Sequence, residues 1–509
     1  MSSRAAAHVL ADIERFSRLV VGVPLYPYQI EPLRAVIDSV LNGRGREFLL
    51  VFPRQSGKNE AVAHLLVYLL TLFQRRGGQI VYGAVGDGLG RGMRRLEERL
   101  ATPWTAGRWR RSGRPRRYAL GRASVVFISS HPGAASRGET ADLLLVLDEA
   151  QDQDPAHVEA VLTPMRAARN ATALYLGTAR TTADFLWAKK GELEAAEAAD
   201  GARRVFLVGP EQVTAANPAY AVFLAEQVRR YGRRHPIVAA EYFLEPIDGA
   251  GGLFPPARLA LMRGDHPRQR DPQPGERYVA TLDPAGADPT APGDPLANPD
   301  RDFTVATVFR LTDPAGGGGP IYEAVDVFTN QGAPHFRNEP GRPSLAEQLA
   351  AWLGRWDPAH VLIDAAGVGQ GLADWLGERL GRGRVSAHPL GGAAVKARLG
   401  SDFLALIDTG RFRYWTGDEA EPLSDGWWFW RQAEACAYAL GPGGRFDRDL
   451  RWSVPESARV ATPLGPQPVH DDRLLSAALA AEIERRRAVG RLALGQGASR
   501  VVGPDDVAL

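Results

Sequence analysis

The sequence predicts an α/β protein with two domains, and three observations lead to this prediction. The first half alternates short apolar runs with helical stretches, and strands separated by helices favour a doubly wound, mainly parallel sheet. A stretch rich in glycine, proline and polar residues then interrupts the pattern at 248–275. Beyond it a new series of strands and helices begins, as a second domain with its own core requires.

The individual elements follow from apolar runs of strand or helix length. In the first half, strands are predicted at 47–52, 79–84, 124–129, 143–147 and 173–177, with a helix at 60–73. In the second half, strands are predicted at 277–282, 303–311, 321–328 and 360–363, with helices at 344–356 and 369–380. We expect surface loops at 288–300 and 312–320. The predicted domain limits are 1–247, a linker at 248–275, 276–490, and a C-terminal tail at 491–509.

Composition restricts the class of protein. A chain of 509 residues is long for one core, and its 45% hydrophobic and 24% charged residues are ordinary for a soluble globular protein. The single cysteine, Cys436, excludes an internal disulfide framework and favours a reducing compartment. No apolar run is long enough to span a bilayer, and the N-terminus lacks a signal-peptide pattern. We therefore expect a cytosolic protein with no membrane partner.

The distribution of charge says more than the net charge of +2. Ten arginines crowd one stretch: Arg91, Arg94, Arg95, Arg99, Arg108, Arg110, Arg111, Arg114, Arg116 and Arg117. They form either a solvated basic surface or a patch that contacts phosphates. Lysine, by contrast, occurs only at positions 58, 189, 190 and 396. A lysine at a motif position therefore indicates a site that needs a compact ammonium.

A phosphate-binding loop is predicted between the strand 47–52 and the helix 60–73. The run reads Phe52, Pro53, Arg54, Gln55, Ser56, Gly57, Lys58, Asn59. Backbone N–H groups at a helix start can hold phosphates, and Lys58 can neutralise the β and γ oxygens of ATP. Phe52 replaces the usual first glycine, and Asn59 replaces the usual metal-binding Ser or Thr; its carbonyl oxygen can still hold Mg²⁺ or its water. The alternative is a Gly-Lys pair that starts an ordinary helix.

An acidic pair ends the apolar run 143–147. Asp148 would lie at the carboxyl end of that strand and bind Mg²⁺, and Glu149 would orient the attacking water. The alternative is an acidic pair in solvent, but the buried-type run before it and its position after the loop argue against that.

Four further positions complete the predicted ATP site. Gln29 can read the adenine edge with a donor and an acceptor, although a polar residue at a helix start explains it nearly as well. The turn at Thr178 could couple loss of the γ-phosphate to movement. Arg54 and Arg137 are candidates for a transition-state cation, and we favour Arg137.

Acids at the ends of predicted elements suggest a metal site in the second half. Asp283 ends one strand, Asp364 ends another, and Asp471 with Asp472 opens a helix. If the strands are neighbours, these carboxylates can hold two divalent ions that hydrolyse a phosphodiester. Each acid alone could instead be a turn or helix-start residue. Asp302 is a weaker candidate.

Taken together, these motifs resemble the large terminase subunits of tailed bacteriophages. The run from Arg54 to Lys58 is similar to that family's deviant Walker A motif, and Asp148-Glu149 resembles its Walker B acid with the catalytic glutamate. The segment 177–179 resembles the coupling motif, and Asn217-Pro218 and the segment 241–243 resemble features late in the ATPase half. In the second half, the positions of resemblance are 283–286, 302–304, 364 and 470–472. The match runs from about residue 25 to residue 485.

The resemblance implies an N-terminal P-loop NTPase domain and a C-terminal RNase H-like mixed α/β nuclease domain. The ATPase half would form a homo-oligomeric ring at a capsid portal in the host cytoplasm and pump double-stranded DNA. The nuclease half would cut concatemeric DNA with Mg²⁺ or Mn²⁺. The implied partners are the portal protein and a small terminase subunit. The main alternative is an ATP-dependent translocase whose second half binds DNA without cutting it; a non-enzymatic DNA-binding protein and a repair nuclease with its own ATPase are further ones.

Overall fold

The computed structural model describes residues 3–113, 116–134, 138–285, 303–314, 318–441, 443–490, 492 and 494. The chain divides into two compact units: unit 1 is Met1–Gln227 with Pro236–Gly249, and unit 2 is Val228–His235 with Ala250–Leu509. Residues 248–275, predicted as a linker, include a strand and a helix. The predicted tail lies outside the described residues apart from 492 and 494, and the predicted loop 288–300 lies wholly outside them. The domain limits stay a prediction.

Unit 1 contains the first ten helices and eight strands. The strands are β1 Glu47–Val51, β2 Gly78–Ala84, β3 Trp109–Ser112, β4 Arg116–Leu120, β5 Ala123–Ser129, β6 Leu144–Leu147, β7 Thr172–Gly177 and β8 Val205–Leu207. The helices are α1 Ser3–Leu10, α2 Ile13–Phe16, α3 Pro27–Leu41, α4 Lys58–Phe73, α5 Gly88–Leu100, α6 Pro155–His157, α7 Phe185–Asp200, α8 Pro210–Ala216, α9 Pro218–Tyr231 and α10 Pro236–Phe243. Short 3₁₀ or π segments occur at Ser17–Val21, Ala150–Asp152, Val158–Leu162 and Thr163–Arg169. The last residues of α9, 228–231, fall within unit 2.

The unit 1 sheet has the strand order β3-β4-β5-β2-β6-β7-β1-β8. From β5 to β8 every neighbouring pair is parallel, whereas β3 and β4 pair antiparallel. The carboxyl ends of β1, β6 and β7 therefore meet at one edge: Val51 pairs with Gly177, and Leu147 pairs with Tyr175. This topology confirms the doubly wound, mainly parallel sheet, and it brings the loop after β1 beside the acids after β6.

The core of unit 1 explains why this edge is well defined. All four residues of β6 are buried, and α4 is buried on nearly every face. Parallel strands covered on both sides read as continuous apolar runs, which is how β6 and β7 appear in the sequence. Because these strands are buried, the polar residues that directly follow them lie at the carboxyl edge of the sheet.

Unit 2 contains the remaining elements. The strands are β9 Ala250–Gly252, β10 Arg277–Asp283, β11 Thr304–Thr312, β12 Ile321–Asn330, β13 Val361–Asp364, β14 Val385–His388, β15 Phe412–Tyr414, β16 Ala437–Leu440, β17 Leu450–Ser453, β18 Arg459–Thr462 and β19 Gly465–Pro468. The helices are α11 Pro256–Met262, α12 Leu345–Trp356, α13 Gly369–Leu380, α14 Ala393–Asp408, α15 Asp425–Ala435, α16 Phe446–Asp449, α17 Asp472–Ala478 and α18 Ala480–Ala488.

The main sheet of unit 2 has the order β14-β13-β10-β11-β12-β15. Strands β10, β11 and β12 are antiparallel neighbours, while β13 pairs parallel with β10 and β14 pairs parallel with β13. Three antiparallel strands joined to two parallel ones in this order form the RNase H-like arrangement, so the predicted mixed α/β fold is confirmed. Because β10 and β13 are parallel neighbours, Asp283 and Asp364 end at the same edge.

A buried hydroxyl cluster fixes α17 to this sheet. Thr281 Oγ1 on β10 donates to the Ser476 carbonyl of α17 at 2.7 Å, and the Thr307 and Ser476 hydroxyls lie 2.9 Å apart. All three side chains are buried. Since α17 begins at Asp472, this cluster sets the position of a third acid relative to Asp283.

Within the described residues, no helix is both long and apolar enough to cross a bilayer.

We expect Thr281→Val to destabilise unit 2 by about 1–2 kcal/mol, because it leaves a buried carbonyl without its donor. Eight of the 11 tryptophans lie in unit 2, so denaturant unfolding followed by tryptophan fluorescence measures this change. Thr71→Val is the control, since Thr71 bonds only a carbonyl of its own helix in unit 1. An unchanged unfolding midpoint for Thr281→Val would show that the hydroxyl cluster does not hold α17.

Candidate functional sites

The loop between β1 and α4 has the backbone of an anion-binding turn. Gln55 and Gly57 both have positive φ, 63° and 88°, and the Ser56 hydroxyl donates to the Pro53 carbonyl at 2.6 Å. The Tyr28 hydroxyl donates to the Ser56 carbonyl at 2.8 Å. Phe52, which stands where a glycine is usual, is fully buried and packs edge-on against Tyr28. Here a buried aromatic contact takes the place of the glycine.

Gln29, predicted to read adenine, supports this loop. Its Oε1 accepts from Tyr26 N at 2.9 Å, and its Nε2 donates to the Gly57 carbonyl at 3.0 Å. The side chain is only 2% exposed. The structure thus engages both ends of the amide within the protein, so we assign Gln29 a positioning role; adenine reading stays a prediction.

Lys58 lies against the acidic pair at the edge of the sheet. Its Nζ is 3.1 Å from Glu149 Oε2 and 3.7 Å from Asp148 Oδ1. Burial opposes the charge of the ammonium, but Glu149 and Asp148 outweigh it and raise the pKa of Lys58. A charged lysine at the start of α4 is what γ-phosphate binding requires.

Asp148 is fully buried at the end of β6. Burial raises its pKa, and the Lys58 charge and a 2.7 Å hydrogen bond from the Tyr82 hydroxyl act against that rise. Its other oxygen, Oδ1, accepts from Glu149 N at 3.0 Å. These contacts fix the carboxylate in one orientation beside the loop.

Glu149 is held by three donors. Besides Lys58, Gln151 Nε2 donates to its Oε2 at 2.8 Å, and Arg91 Nη2 lies 3.3 Å from Oε1. Burial alone would raise the pKa of Glu149, but the Lys58 charge and the Gln151 hydrogen bond hold it well below its usual range. This lowered pKa favours the ionised carboxylate of Glu149.

Gln151 links Glu149 to the segment predicted to couple hydrolysis to movement. Its Oε1 accepts from Thr178 N at 3.3 Å, and the Thr178 hydroxyl donates to the Phe52 carbonyl at 3.2 Å. A Cβ at Gly177 would lie 2.5 Å from Gln151 Oε1, so the link requires glycine at that position. A continuous chain of contacts thus joins the acidic pair, the end of β7 and the phosphate loop.

The side-chain oxygen of Asn59 is a candidate ligand for a metal ion at this site. Among the described residues, its buried Oδ1 has no hydrogen-bond partner. A buried carbonyl oxygen without a donor is costly unless a ligand completes it, and amide oxygens are suitable ligands for Mg²⁺. Together with the Asp148 carboxylate, the donor set therefore fits a divalent ion.

Of the two arginines predicted as transition-state cations, the structure describes Arg54 but not Arg137. Arg54 forms an ion pair with Glu241, with 2.6 Å between Nη1 and Oε2, and its carbonyl accepts from the Tyr220 hydroxyl. Its backbone N also donates to the Glu241 carbonyl. Arg137 lies outside the described residues. The catalytic roles of both arginines stay predictions.

In unit 2, the structure brings together the acids that the sequence indicated. Asp283 and Asp364 end the neighbouring strands β10 and β13, and Asp472 opens the helix that the hydroxyl cluster fixes beside them. All three are buried, whereas Asp471 is about a quarter exposed. Asp302 lies outside the described residues.

The raised pKa of Asp283 shows that these acids interact with one another. Burial, and then the charges of Asp472, Asp364 and Asp471, raise the pKa of Asp283 well above its ordinary value. Lys396 opposes this shift; its Nζ lies 3.7 Å from Asp471 Oδ2. The neighbouring acids disfavour the charged form of Asp283, and a bound divalent cation would offset their repulsion.

Backbone donors orient two of the acids. Asp364 Oδ1 accepts from Ala366 N and from Leu390 N, both at 3.0 Å, and Asp472 Oδ2 accepts from Phe303 N at 3.1 Å. In the described ranges, no group of three His, Cys, Asp or Glu side chains already forms a metal-binding cluster. The chemistry of the donor set fits divalent ions, and the carboxylates would have to turn toward a common point to bind them.

Four side chains at these sites were not predicted as site residues: Tyr82, Arg91, Gln151 and Lys396. Arg91 was noted only as part of the basic stretch. Lys396 carried a usable signal, because lysine occurs at just four positions in an arginine-rich chain. Tyr82 and Gln151 had none, since their roles depend on the pairing of β2 with β6 and on the turn after Glu149.

We expect Asp283→Asn to stabilise unit 2 near pH 7 by about 1 kcal/mol or more when divalent ions are chelated. A carboxyl whose folded-state pKa is raised contributes stability at low pH that is lost as the pH rises through that pKa. Asparagine does not ionise, so the difference between variant and wild type should shrink toward pH 4. Unfolding midpoints from pH 4 to pH 8 test this, and equal wild-type and variant stability at pH 7 would contradict the assigned electrostatics.

Among known proteins, this chain is similar to several solved structures. No protein-family model and no curated protein matches the chain. The large terminase of a thermophilic bacteriophage has 10% identity and a TM-score of 0.45, covering 90% of this chain and 99% of that one. The HK97 bacteriophage large terminase has 16% identity and a TM-score of 0.38, covering 93% and 98%. The large terminase nuclease of the thermophilic phage G20c with bound magnesium has 18% identity and a TM-score of 0.30, covering 45% and 96%. These three solved structures, to which this chain is similar, are two phage large terminases and the nuclease of a third.

Proposed function

We propose that this protein is the large subunit of a viral DNA-packaging motor, which hydrolyses ATP to move double-stranded DNA and cuts that DNA with divalent metal ions. One observation carries the proposal: a single chain contains a P-loop with Lys58 beside an acidic pair, and a separate RNase H-like sheet whose edge gathers buried acids. The first arrangement suits hydrolysis of a nucleoside triphosphate, and the second suits hydrolysis of a phosphodiester.

In the ATPase reaction, the residues of unit 1 divide the work. Lys58 binds the β and γ oxygens, and Asn59 with Asp148 would hold Mg²⁺, which supplies charge neutralisation when bound. The ATP phosphates compete with Glu149 for Lys58, so nucleotide binding frees the glutamate to accept a proton from the attacking water. Because Gln151 bonds both Glu149 and Thr178, a movement of the Glu149 side chain would shift the backbone at Thr178.

In the nuclease reaction, Asp283, Asp364 and Asp472 would hold the metal ions, with Asp471 at the margin. The ions, when bound, supply water activation and stabilise the leaving oxygen. Backbone donors bond one oxygen each of Asp364 and Asp472, and both carboxylates would turn toward the ions on binding them. Lys396, beside Asp471, provides a fixed cation for the DNA phosphate.

Assembly of the motor belongs to the same proposal. The motifs of both halves resemble those of large terminase subunits, and that resemblance implies a ring on a portal protein and a small terminase subunit that selects the DNA. A second candidate function is a translocase whose unit 2 binds DNA without cutting it. It is favoured by one observation: the described side chains do not form a ready metal-binding cluster.

We expect Lys58→Ala and Glu149→Gln to reduce the turnover number for ATP at least about 100-fold, for different reasons. Lys58→Ala removes the main cation of the γ-phosphate and also weakens ATP binding, whereas Glu149→Gln keeps binding and loses hydrolysis. Nucleotide-binding titrations beside steady-state ATPase assays separate the two effects. Lys190→Ala, at a lysine paired with Glu194 on α7, is the matched control. Normal turnover by Glu149→Gln would refute its assigned role.

Asp364→Ala should abolish plasmid cutting in Mg²⁺ or Mn²⁺ and leave ATP hydrolysis unchanged, because it removes one metal ligand in unit 2 only. Asp374→Ala is the matched control, since Asp374 lies on the exposed side of α13 and bonds Gln370. Cutting by the wild type and by Asp374→Ala alone supports the nuclease assignment. Cutting by none of the three, with ATPase activity intact, would instead favour the non-cutting translocase.

A further inference from the structure

A cavity of about 140 Å³ opens beside the acids of unit 2 and has no role in the mechanism above. Asp472 forms part of its wall, so the cavity and the acidic cluster share one carboxylate. Two aromatic residues, Phe303 and Trp428, line it, together with Gln432, Gln467, His470 and Arg473. An apolar cavity of about 150 Å³ accepts a benzene molecule, so this one has room for about one aromatic ring.

The walls of the cavity are fixed by internal contacts. Arg473 is 6% exposed; its Nη2 lies 3.0 Å from Asp425 Oδ1, and its guanidinium lies over the Phe303 ring at 5.3 Å. Gln432 is 1% exposed, and its Oε1 accepts from Leu474 N at 3.0 Å. The shape is therefore set before any ligand enters, which lowers the entropy lost on binding.

The chemistry of the wall favours a nucleobase over a phosphate. Arg473 is paired with Asp425, which also binds Arg268, and the Asp472 carboxylate in the wall repels an anion. Aromatic faces stack on the faces of bases, and the primary amide of Gln467 offers a donor and an acceptor to a base edge. The phosphate of the same nucleotide would instead lie on the far side of Asp472, at the metal-binding acids.

We propose that this cavity is a base-binding subsite, which takes one unstacked nucleobase of the DNA strand whose phosphate lies at the acidic cluster. The inference rests on the proposed nuclease function and adds a positioning device to it. Drawing one base out of the stack fixes the neighbouring phosphodiester relative to Asp283, Asp364 and Asp472. Cutting then requires local unstacking, which is easiest at flexible steps.

The test uses the full-length protein and short duplexes in which one nucleotide at a time lacks its base. For the wild type, we expect cutting of the bond beside one such position to be about tenfold slower than in the intact duplex, which corresponds to about 1.4 kcal/mol. Trp428→Ala should cut the intact duplex about tenfold more slowly and lose sensitivity to the missing base, as a double-mutant cycle requires. Trp428→Phe should retain the wild-type pattern.

Gln467→Leu provides a second variant on the hairpin strand β19, in case Trp428→Ala does not fold. It should also reduce the effect of the missing base. Equal cutting of all duplexes by the wild type, or full sensitivity in both variants, would overturn the subsite and leave the nuclease assignment standing. If the wild type cuts no duplex at all in Mg²⁺ or Mn²⁺, the proposed nuclease function fails and the subsite with it.

Discussion

Buried carboxylates at the carboxyl ends of parallel strands are the constraint on which both sites depend. A carboxylate out of water is costly unless a cation or several donors face it. In unit 1 the cation is internal: Lys58 lies within 3.7 Å of Asp148 and Tyr82 donates to the same side chain. In unit 2, burial and the charges of Asp472, Asp364 and Asp471 raise the pKa of Asp283, and Lys396 opposes that rise. Under the proposed function, ATP would compete for Lys58 at the first site, and divalent ions would offset the acids of the second.

The two sites also differ in whether their own contacts can link a binding event to another segment of the chain. If unit 1 binds ATP as proposed, Lys58 would move from Glu149 to the phosphates, and the hydrogen bonds of Gln151 would pass this change from Glu149 to Thr178. Unit 2 has no comparable switch among its described residues. Its hydroxyl cluster, centred on Thr281 and Ser476, fixes the position of α17 on the sheet.

The sequence predicted most of the α/β core, because apolar runs such as 144–147 and 361–363 are fully buried strands in the structure. It also located Asp148, Asp283 and Asp364, since each directly follows such a run. It did not predict the antiparallel β3–β4 extension or the hairpin β18–β19, whose polar residues carry little periodic signal. Contacts made by Gln151 or Arg91 depend on strand order and side-chain direction, which no local pattern encodes.

The most direct test of this account is anomalous diffraction from crystals grown with Mn²⁺ and a non-hydrolysable ATP analogue. The account predicts one manganese peak beside Asn59 and Asp148 and at least one more among Asp283, Asp364 and Asp472. A peak in unit 1 without any in unit 2, at a Mn²⁺ concentration that supports DNA cutting, would contradict the claim that these acids form the nuclease centre.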